Sequence, residues 1–291
     1  MSASGSGESD VSDYWIHNID SFLIRFPESW PIDGIKWYGL AYLAGFVIAA
    51  LLLRAYYLRG RSPYNYDQQT TLLTALIIGV LAGGRIGYML LYNLDGLLAN
   101  PLSLFAIWQG GMASHGGMIG VVVAMIWFAR HTRTTFWRLA DIVVTLAPAG
   151  ILLGRIANFI NAELWGKVTT VSWAVLFPVT DPRTGLVVDY TEPRHPSQLY
   201  QAGLEGLLLL VYIQARFWLS QPAQRPAGRL AAEFLIAYGL LRILGEIFRE
   251  PDADLILGLS RGAFYSVLMV IAGVIIVWHS RRSSSTGSGK Q

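Results

Sequence analysis

The stretch LADIVVTLAPAGILLGRIANFINAELWG, residues 139–166, decides how the rest of the chain is read. Its first part is apolar and long enough to cross a bilayer, because a helix needs about 20 mainly apolar residues to span roughly 30 Å of hydrocarbon. Its end is different: Arg155, Asn158, Asn161 and Glu163 follow one another within a few turns. Ionisable groups at the centre of a span cost about 2.5–3.5 kcal/mol each on insertion scales, so they are functional candidates by default. A segment that spans and then turns polar belongs to a membrane protein with a site near one surface.

Composition agrees. The chain has 291 residues, of which 53% are hydrophobic and 14% charged. Its mean hydropathy of +0.43 moves it from soluble domains toward polytopic membrane proteins. There is no cysteine, which excludes a disulfide framework, a thiolate metal site and a cysteine nucleophile of its own. A net charge of +3 is too small to make nucleic acid a partner.

Seven stretches read as membrane helices: 35–57, 71–92, 116–129, 139–161, 198–218, 229–248 and 262–279. The fold class expected is all-α, a polytopic membrane protein of seven transmembrane helices with a small extracytoplasmic cap. Arg54, Arg59 and Arg61, then Arg130, Arg133 and Arg138, then Arg216, Arg225 and Arg229, then Arg281 and Arg282 fall on one side of these spans. Short cytoplasmic loops retain basic residues, so that side is cytoplasmic and the N-terminus lies outside. Residues 1–13 have no basic region leading into an apolar run, so they read as a disordered start and not a signal peptide. Residues 14–33 mix aromatic and charged side chains and read as an interfacial segment. The domain of seven helices covers 34–280, including an external cap at 162–195. There, alternation in VSWAVLFPV and the turn signal TDPRTG point to a hairpin. Residues 281–291 read as a disordered tail.

Five ionisable groups fall inside spans: Arg85, Arg155, Glu205, Arg242 and Glu246. Arginines near a span's end also reach the interface by snorkelling, which is the plain alternative for Arg85 and Arg155. Tyr238, Arg242, Glu246 and Arg249 stand at steps of four, four and three, so they share one helical stripe. Two arginines and one glutamate on that stripe leave a surplus positive charge that invites an anion. Facing Arg155 and Asn158 across a cavity, the stripe would suit a phosphate. His115 lies in WQGGMASHGGMIG, whose glycines either let a ligand approach or pack one helix on another. No grouping of His, Asp and Glu has a metal spacing, so no metal is expected.

Six ordered motifs now carry a resemblance: KWYGLAYLAGF (36–46), GGRIGY (83–88), WQGGMASHGG (108–117), GRIANFINAELWG (154–166), RHPSQLY (194–200) and YGLLRILGEIFREPD (238–252). Along nearly its whole length the chain resembles the bacterial prolipoprotein diacylglyceryl transferases. The resemblance implies an inner-membrane enzyme that moves the diacylglyceryl group of phosphatidylglycerol, a membrane lipid, onto the lipobox cysteine of a prolipoprotein signal peptide, with no cofactor. A thioether forms and glycerol phosphate leaves. At matching positions it implies Arg155 and Arg242 as essential arginines and His115 as a residue the family needs. Since a thiol with an ordinary pKa near 8.5 must lose its proton, the chemistry suggests His115 as base or orienting group, with Glu163 the runner-up base. Tyr38, Asn158, Gly166 and Tyr238 align with residues the family needs, while Arg85, Asn161, Glu246 and Arg249 are supporting members of the substrate site. Ala157 and Ala162 stand where the family signature often carries glycine. The other functional class open to paired intramembrane arginines is a transporter of an anionic solute.

Overall fold

In lipid, backbone N–H and C=O groups find no water, so apolar runs must close their hydrogen bonds within helices. The computed structural model describes residues 14–27, 29–30, 32–106, 110–181, 184, 186–222, 224–251 and 254–286. The expectation of disorder over 1–13 lies outside the described residues. In chain order the elements are β1 (Trp15–Ile16), β2 (Phe22–Arg25), β3 (Gly34–Lys36), α1 (Trp37–Leu58), α2 (Tyr66–Tyr92), α3 (Leu94–Ala99), α4 (Ser114–His131), α5 (Phe136–Val143) and α6 (Ala147–Ile160). There follow β4 (Val175–Leu176), β5 (Pro178–Thr180), β6 (Val187–Tyr190), α7 (Ser197–Gln201), a π-helical turn (Ala202–Leu208), α8 (Leu209–Leu219), α9 (Arg229–Glu246) and α10 (Arg261–Thr286).

Among the described residues four helical stretches are long and apolar enough to cross a membrane: Trp37–Leu58, Tyr66–Tyr92, Ser197–Leu219 and Arg261–Ser280. A fifth forms if the broken pair α5 and α6 is one span. The break has a local cause, since Pro148 in the first turn of α6 has no N–H with which to continue the ladder. The two remaining stretches read as spans are α4 and α9, of 18 residues each. They are less apolar: α9 carries Arg229, Glu233, Arg242 and Glu246, and α4 has His115, Arg130 and His131 near its ends. The protein is a mostly helical, multi-pass membrane protein. On α1, Leu43 and Leu51 are 60% and 64% exposed, a liability in water that contact with lipid removes.

Cα packing divides the chain into two units, one formed by 1–45, 147–220 and 232–291, the other by 46–146 and 221–231. In the second unit α2 starts at a capping box, with the Asn65 side chain accepting from Gln68 N at 3.0 Å and the Gln68 side chain accepting from Asn65 N at 3.1 Å. Gly79, Gly83 and Gly87 of α2 meet Gly116 and Gly120 of α4 backbone to backbone. A Cβ at Gly120 would overlap the carbonyl oxygen of Gly79, and one at Gly116 that of Gly83. Small residues four apart let membrane helices approach this closely. The Asp141 carboxylate of α5 accepts from Gly228 N and Ala231 N, both at 2.9 Å, satisfying N–H groups that the start of α9 leaves open.

In the first unit, the 14–33 stretch forms short strands. β1 pairs in parallel with β4, and β2 pairs antiparallel with β3. The hairpin expected within 162–195 is present as β5 and β6, with Pro178 opposite Tyr190 and Thr180 opposite Val187. His17 is buried in a cluster of Trp15, Phe159 and Phe177 and bonds Phe159 O at 2.8 Å. Gly206 lies against Leu152 of α6, where a Cβ would stand 2.6 Å from Leu152 Cα. The last helix continues to Thr286, six residues into the tail expected to be disordered from 281. Residues 287–291 fall outside the described residues.

Candidate functional site

The polar end of α6 is shaped by how the helix stops. Ala162 N donates to Phe159 O at 3.0 Å and Glu163 N to Asn158 O at 3.1 Å, with Ala162 at φ +54°. This is the Schellman arrangement, whose left-handed residue is usually glycine. Leu164 is also left-handed, at φ +58°. The two turns fold Glu163 back over the helix end, where its Oε1 accepts from Asn158 Nδ2 at 2.6 Å. Its backbone oxygen accepts from Gln198 Nε2 at 2.7 Å.

One turn earlier on α6 stands Arg155, and its carboxylate partner is Glu205, at 3.2 Å. Glu205 comes from the π-helical turn and is 0% exposed. Its other oxygen accepts from Arg242 of α9 at 3.1 Å, and Arg242 Nη2 lies 3.1 Å from Glu246. A chain of four charges results: Arg155, Glu205, Arg242, Glu246. Glu205 arrives from another helix but is shared with Arg155, so with Arg249 of the α9 stripe the tally is three arginines to two glutamates. Among the described residues Arg155 makes one side-chain hydrogen bond, through Nη2, so Nε and Nη1 are open to an acceptor. A guanidinium pair held by a shared buried carboxylate is fixed in place, and one member still has donors in fork geometry.

Tyr238 lies one turn before Arg242 and stacks on Phe234 with ring centroids 5.8 Å apart. Tyr38 packs against Tyr42 at 5.4 Å, and Tyr42 lies within electrostatic reach of Glu163. Asn161 Oδ1 is buried and makes no hydrogen bond. Gly166 marks a crossing of three backbones: its N–H donates to His195 O at 2.9 Å, and it bridges to Arg249. A Cβ there would sit 2.5 Å from His195 O and 2.6 Å from Phe248 O. Glycine is required for close approach, and it ties the buried Arg249 after α9 to the segment before α7. In that segment burial holds the His195 imidazole below its usual value.

Arg85 and His115 belong to the second unit. Arg85 is 4% exposed and among the described residues donates to backbone carbonyls alone: Leu104 O at 3.2 Å, Ser103 O at 2.6 Å, Gly111 O at 3.3 Å, and Gly110 O. All three guanidinium nitrogens are engaged, so Arg85 clamps the loop that leads into α4. His115 is exposed in the first turn of α4, after Gly110 and Gly111 at φ +77° and +76°. It lines an apolar groove of about 980 Å³ along α2 and α4, with Ile86, Leu90 and Ile119. Of the two readings of its glycines, Gly116 and Gly120 serve packing, while Gly110 and Gly111 serve the backbone turn.

Sequence reasoning placed Arg155, Arg242 and Glu246 correctly as polar groups within apolar helices, and the structure brings them together. It missed Glu205 as a member of the site and Tyr42 as the neighbour of Tyr38. The signal for Glu205 was its charge inside a span, but no spacing tied it to either arginine.

Residues 27–279 match the prolipoprotein diacylglyceryl transferase family. The chain is 44% identical over 286 residues to the phosphatidylglycerol–prolipoprotein diacylglyceryl transferase of Proteus mirabilis, an alignment covering 90% of this chain and 96% of that one. It is 45% identical over 247 residues to the enzyme of the same name from Aeromonas salmonicida, covering 84% and 85%. With the one from Vibrio cholerae it shares 44% identity over 252 residues, covering 85% and 88%. The chain is thus a multi-pass membrane transferase. The chain belongs to the prolipoprotein diacylglyceryl transferase family.

Proposed function

We propose that this chain transfers the sn-1,2-diacylglyceryl group of phosphatidylglycerol to the thiol of a lipobox cysteine in a prolipoprotein. The S–H proton passes to a base, a carbon–sulfur bond forms, the carbon–oxygen bond to phosphate breaks, and glycerol phosphate leaves with the electron pair. The step is neither redox nor hydrolytic and calls for no metal or cofactor. The observation that carries the reading is the bridge from Arg155 through Glu205 to Arg242 in a member of this family. Guanidinium groups fixed before the reaction stabilise charge that grows on the leaving phosphate, without reorganising as it grows.

In this mechanism Arg155 holds the phosphate through Nε and Nη1, and Arg242 neutralises it from the far side of Glu205. His115 takes the thiol proton or orients the cysteine, and a thiol of ordinary pKa near 8.5 needs that help. Glu163, the runner-up base, already accepts from Asn158, which favours an orienting role for the pair. Tyr38 and Asn158 position the headgroup. Tyr238, Asn161, Glu246 and Arg249 support the ionic network, and Gly166 supports it through the backbone crossing. The enzyme would lie in the bacterial inner membrane with seven spans, counting α4 and α9, its N-terminus periplasmic and its C-terminus cytoplasmic. Segment 14–33 would lie in the interface and 162–195 would form the periplasmic cap. Purified protein incubated with phosphatidylglycerol and a lipobox peptide should yield a diacylglyceryl adduct by mass spectrometry. Absence of the adduct, with anion uptake into liposomes, would replace the transferase by the transporter.

A further inference from the structure

Among the polar side chains of the span Ser197–Leu219 with no exposed surface are Gln198, Gln201 and Glu205. They fall at steps of three and four, along one face. The π-helical turn begins directly after Gln201, and such turns re-aim side chains and concentrate at functional sites. Gln201 and Glu205 converge at Gly245 of α9, where a Cβ would lie 3.3 Å from Gln201 Cγ and 3.5 Å from Glu205 Oε1. The Gln201 side chain and the carboxylate that joins Arg155 to Arg242 therefore meet the same point of α9.

The two residues differ in how they are satisfied. Both oxygens of Glu205 are taken by arginines. Among the described residues neither Oε1 nor Nε2 of Gln201 makes a hydrogen bond, and both are buried. Gln198 Nε2 donates to Glu163 O, while its Oε1 is also buried without a partner. A buried amide with nothing to bond is destabilising and in a native protein needs a reason. The unmet groups are two acceptors and one amide nitrogen, all neutral. A phosphate offers only acceptors and leaves both oxygens unmet. An ammonium would meet the oxygens, but two guanidinium groups lie close by and repel it. A glycerol diol offers two O–H donors and two acceptors without charge, and matches what is unmet.

We propose that Gln201, assisted by Gln198, is a specificity-determining residue that reads the diol of the phosphatidylglycerol headgroup beside the guanidinium pair. This rests on the transferase reading above. Engaging a headgroup breaks no hydrogen bond of Gln201 among the described residues.

The test compares phosphatidylglycerol with phosphatidylmethanol, an anionic phosphodiester that lacks the diol. Wild-type protein should prefer phosphatidylglycerol in kcat/KM for adduct formation. In Gln201→Met that preference should fall about tenfold, carried by KM for phosphatidylglycerol. The thermal midpoint of the lipid-free variant should rise, since an unpaired buried amide is gone. Equal use of the two lipids by the wild type, or an unchanged preference in Gln201→Met, overturns the proposal. A fallen midpoint with the preference intact also overturns it, by showing a purely structural amide. If Gln201→Met does not fold, Gln198→Met takes its place with the same expected loss of preference. Lipid-induced shifts in midpoint, read without peptide, separate the two claims. Stronger stabilisation by phosphatidylglycerol without any adduct sinks the transferase reading and keeps the diol site, and equal stabilisation by both lipids sinks the diol site.

Discussion

Arg85 and Arg242 are both buried arginines in the second half of an apolar helix, 4% and 9% exposed, yet their partners differ in kind. Arg85 is surrounded by the carbonyls of Ser103, Leu104, Gly110 and Gly111 and organises a loop. Arg242 is held between two carboxylates, one of which it shares with Arg155. A guanidinium whose nitrogens all bond neutral carbonyls has little left for a ligand. One locked into an ionic chain lends its charge to whatever the chain's open end binds. Burial and residue type are alike, and only the partners separate scaffold from site.

The comparison is broken most directly at the ionic chain. Arg155→Gln or Arg242→Gln should lower kcat for adduct formation by at least about 100-fold, the scale of removing one preorganised donor from a charge-stabilising site. Retention of more than a tenth of the wild-type rate in both would remove these arginines from the chemistry. Glu205→Gln should also lower kcat, since it frees both guanidiniums from their shared anchor.

At Arg85 the expected signature is the reverse. Arg85→Gln should destabilise the protein by about 2–3 kcal/mol, because several charge-assisted bonds are lost and carbonyls are left unpaired. Arg85→Lys should recover only part of this, as an ammonium cannot reach the same spread of oxygens. Thermal unfolding in detergent measures both. A raised KM for phosphatidylglycerol with unchanged stability would place Arg85 in the binding site instead.

A smaller effect sharpens the end of α6. Ala162→Gly should stabilise the protein by about 1 kcal/mol, because a left-handed alanine carries a steric cost that glycine does not. A lower unfolding midpoint in that variant would contradict the assignment of strain to Ala162.

The smallest effect concerns pH. Burial pushes the His17 imidazole below its usual value, against the opposing pull of its bond to the Phe159 carbonyl. The unfolded chain then binds more protons than the folded one near the ordinary value of 6.5. His17 thus contributes fully above that pH, and its contribution is lost as pH falls through the lowered value. The midpoint measured from pH 8 to 5 should drop on the acid side, and less steeply in His17→Gln.

Much of this architecture was legible in the residues. Apolar runs announced α1, α2 and α10, because these depend on composition, whereas the break before α6 was not read from the sequence: 139–161 looked like one span, since membrane helices tolerate a proline such as Pro148. Strand alternation and a turn signal announced the hairpin of β5 and β6. The strands within 14–36 were not legible, since β1 pairs with a segment about 160 residues later. In the site, the stripe of Tyr238, Arg242 and Glu246 followed from helical spacing. The role of Arg85 did not, because carbonyl acceptors are present at every residue and leave no mark in a sequence.

By itself the sequence determined that this chain is a membrane protein with charged groups inside its helices and determined which groups those are, since hydropathy and helical period act over a few turns. The tertiary structure decided which charges meet. Glu205 reaches Arg155 across 50 positions and Arg242 across 37. No local rule selects such partners. They are set by how α6, the π-helical turn and α9 pack, and a turn that departs from the regular helical period places its carboxylate where a uniform period would not have pointed it.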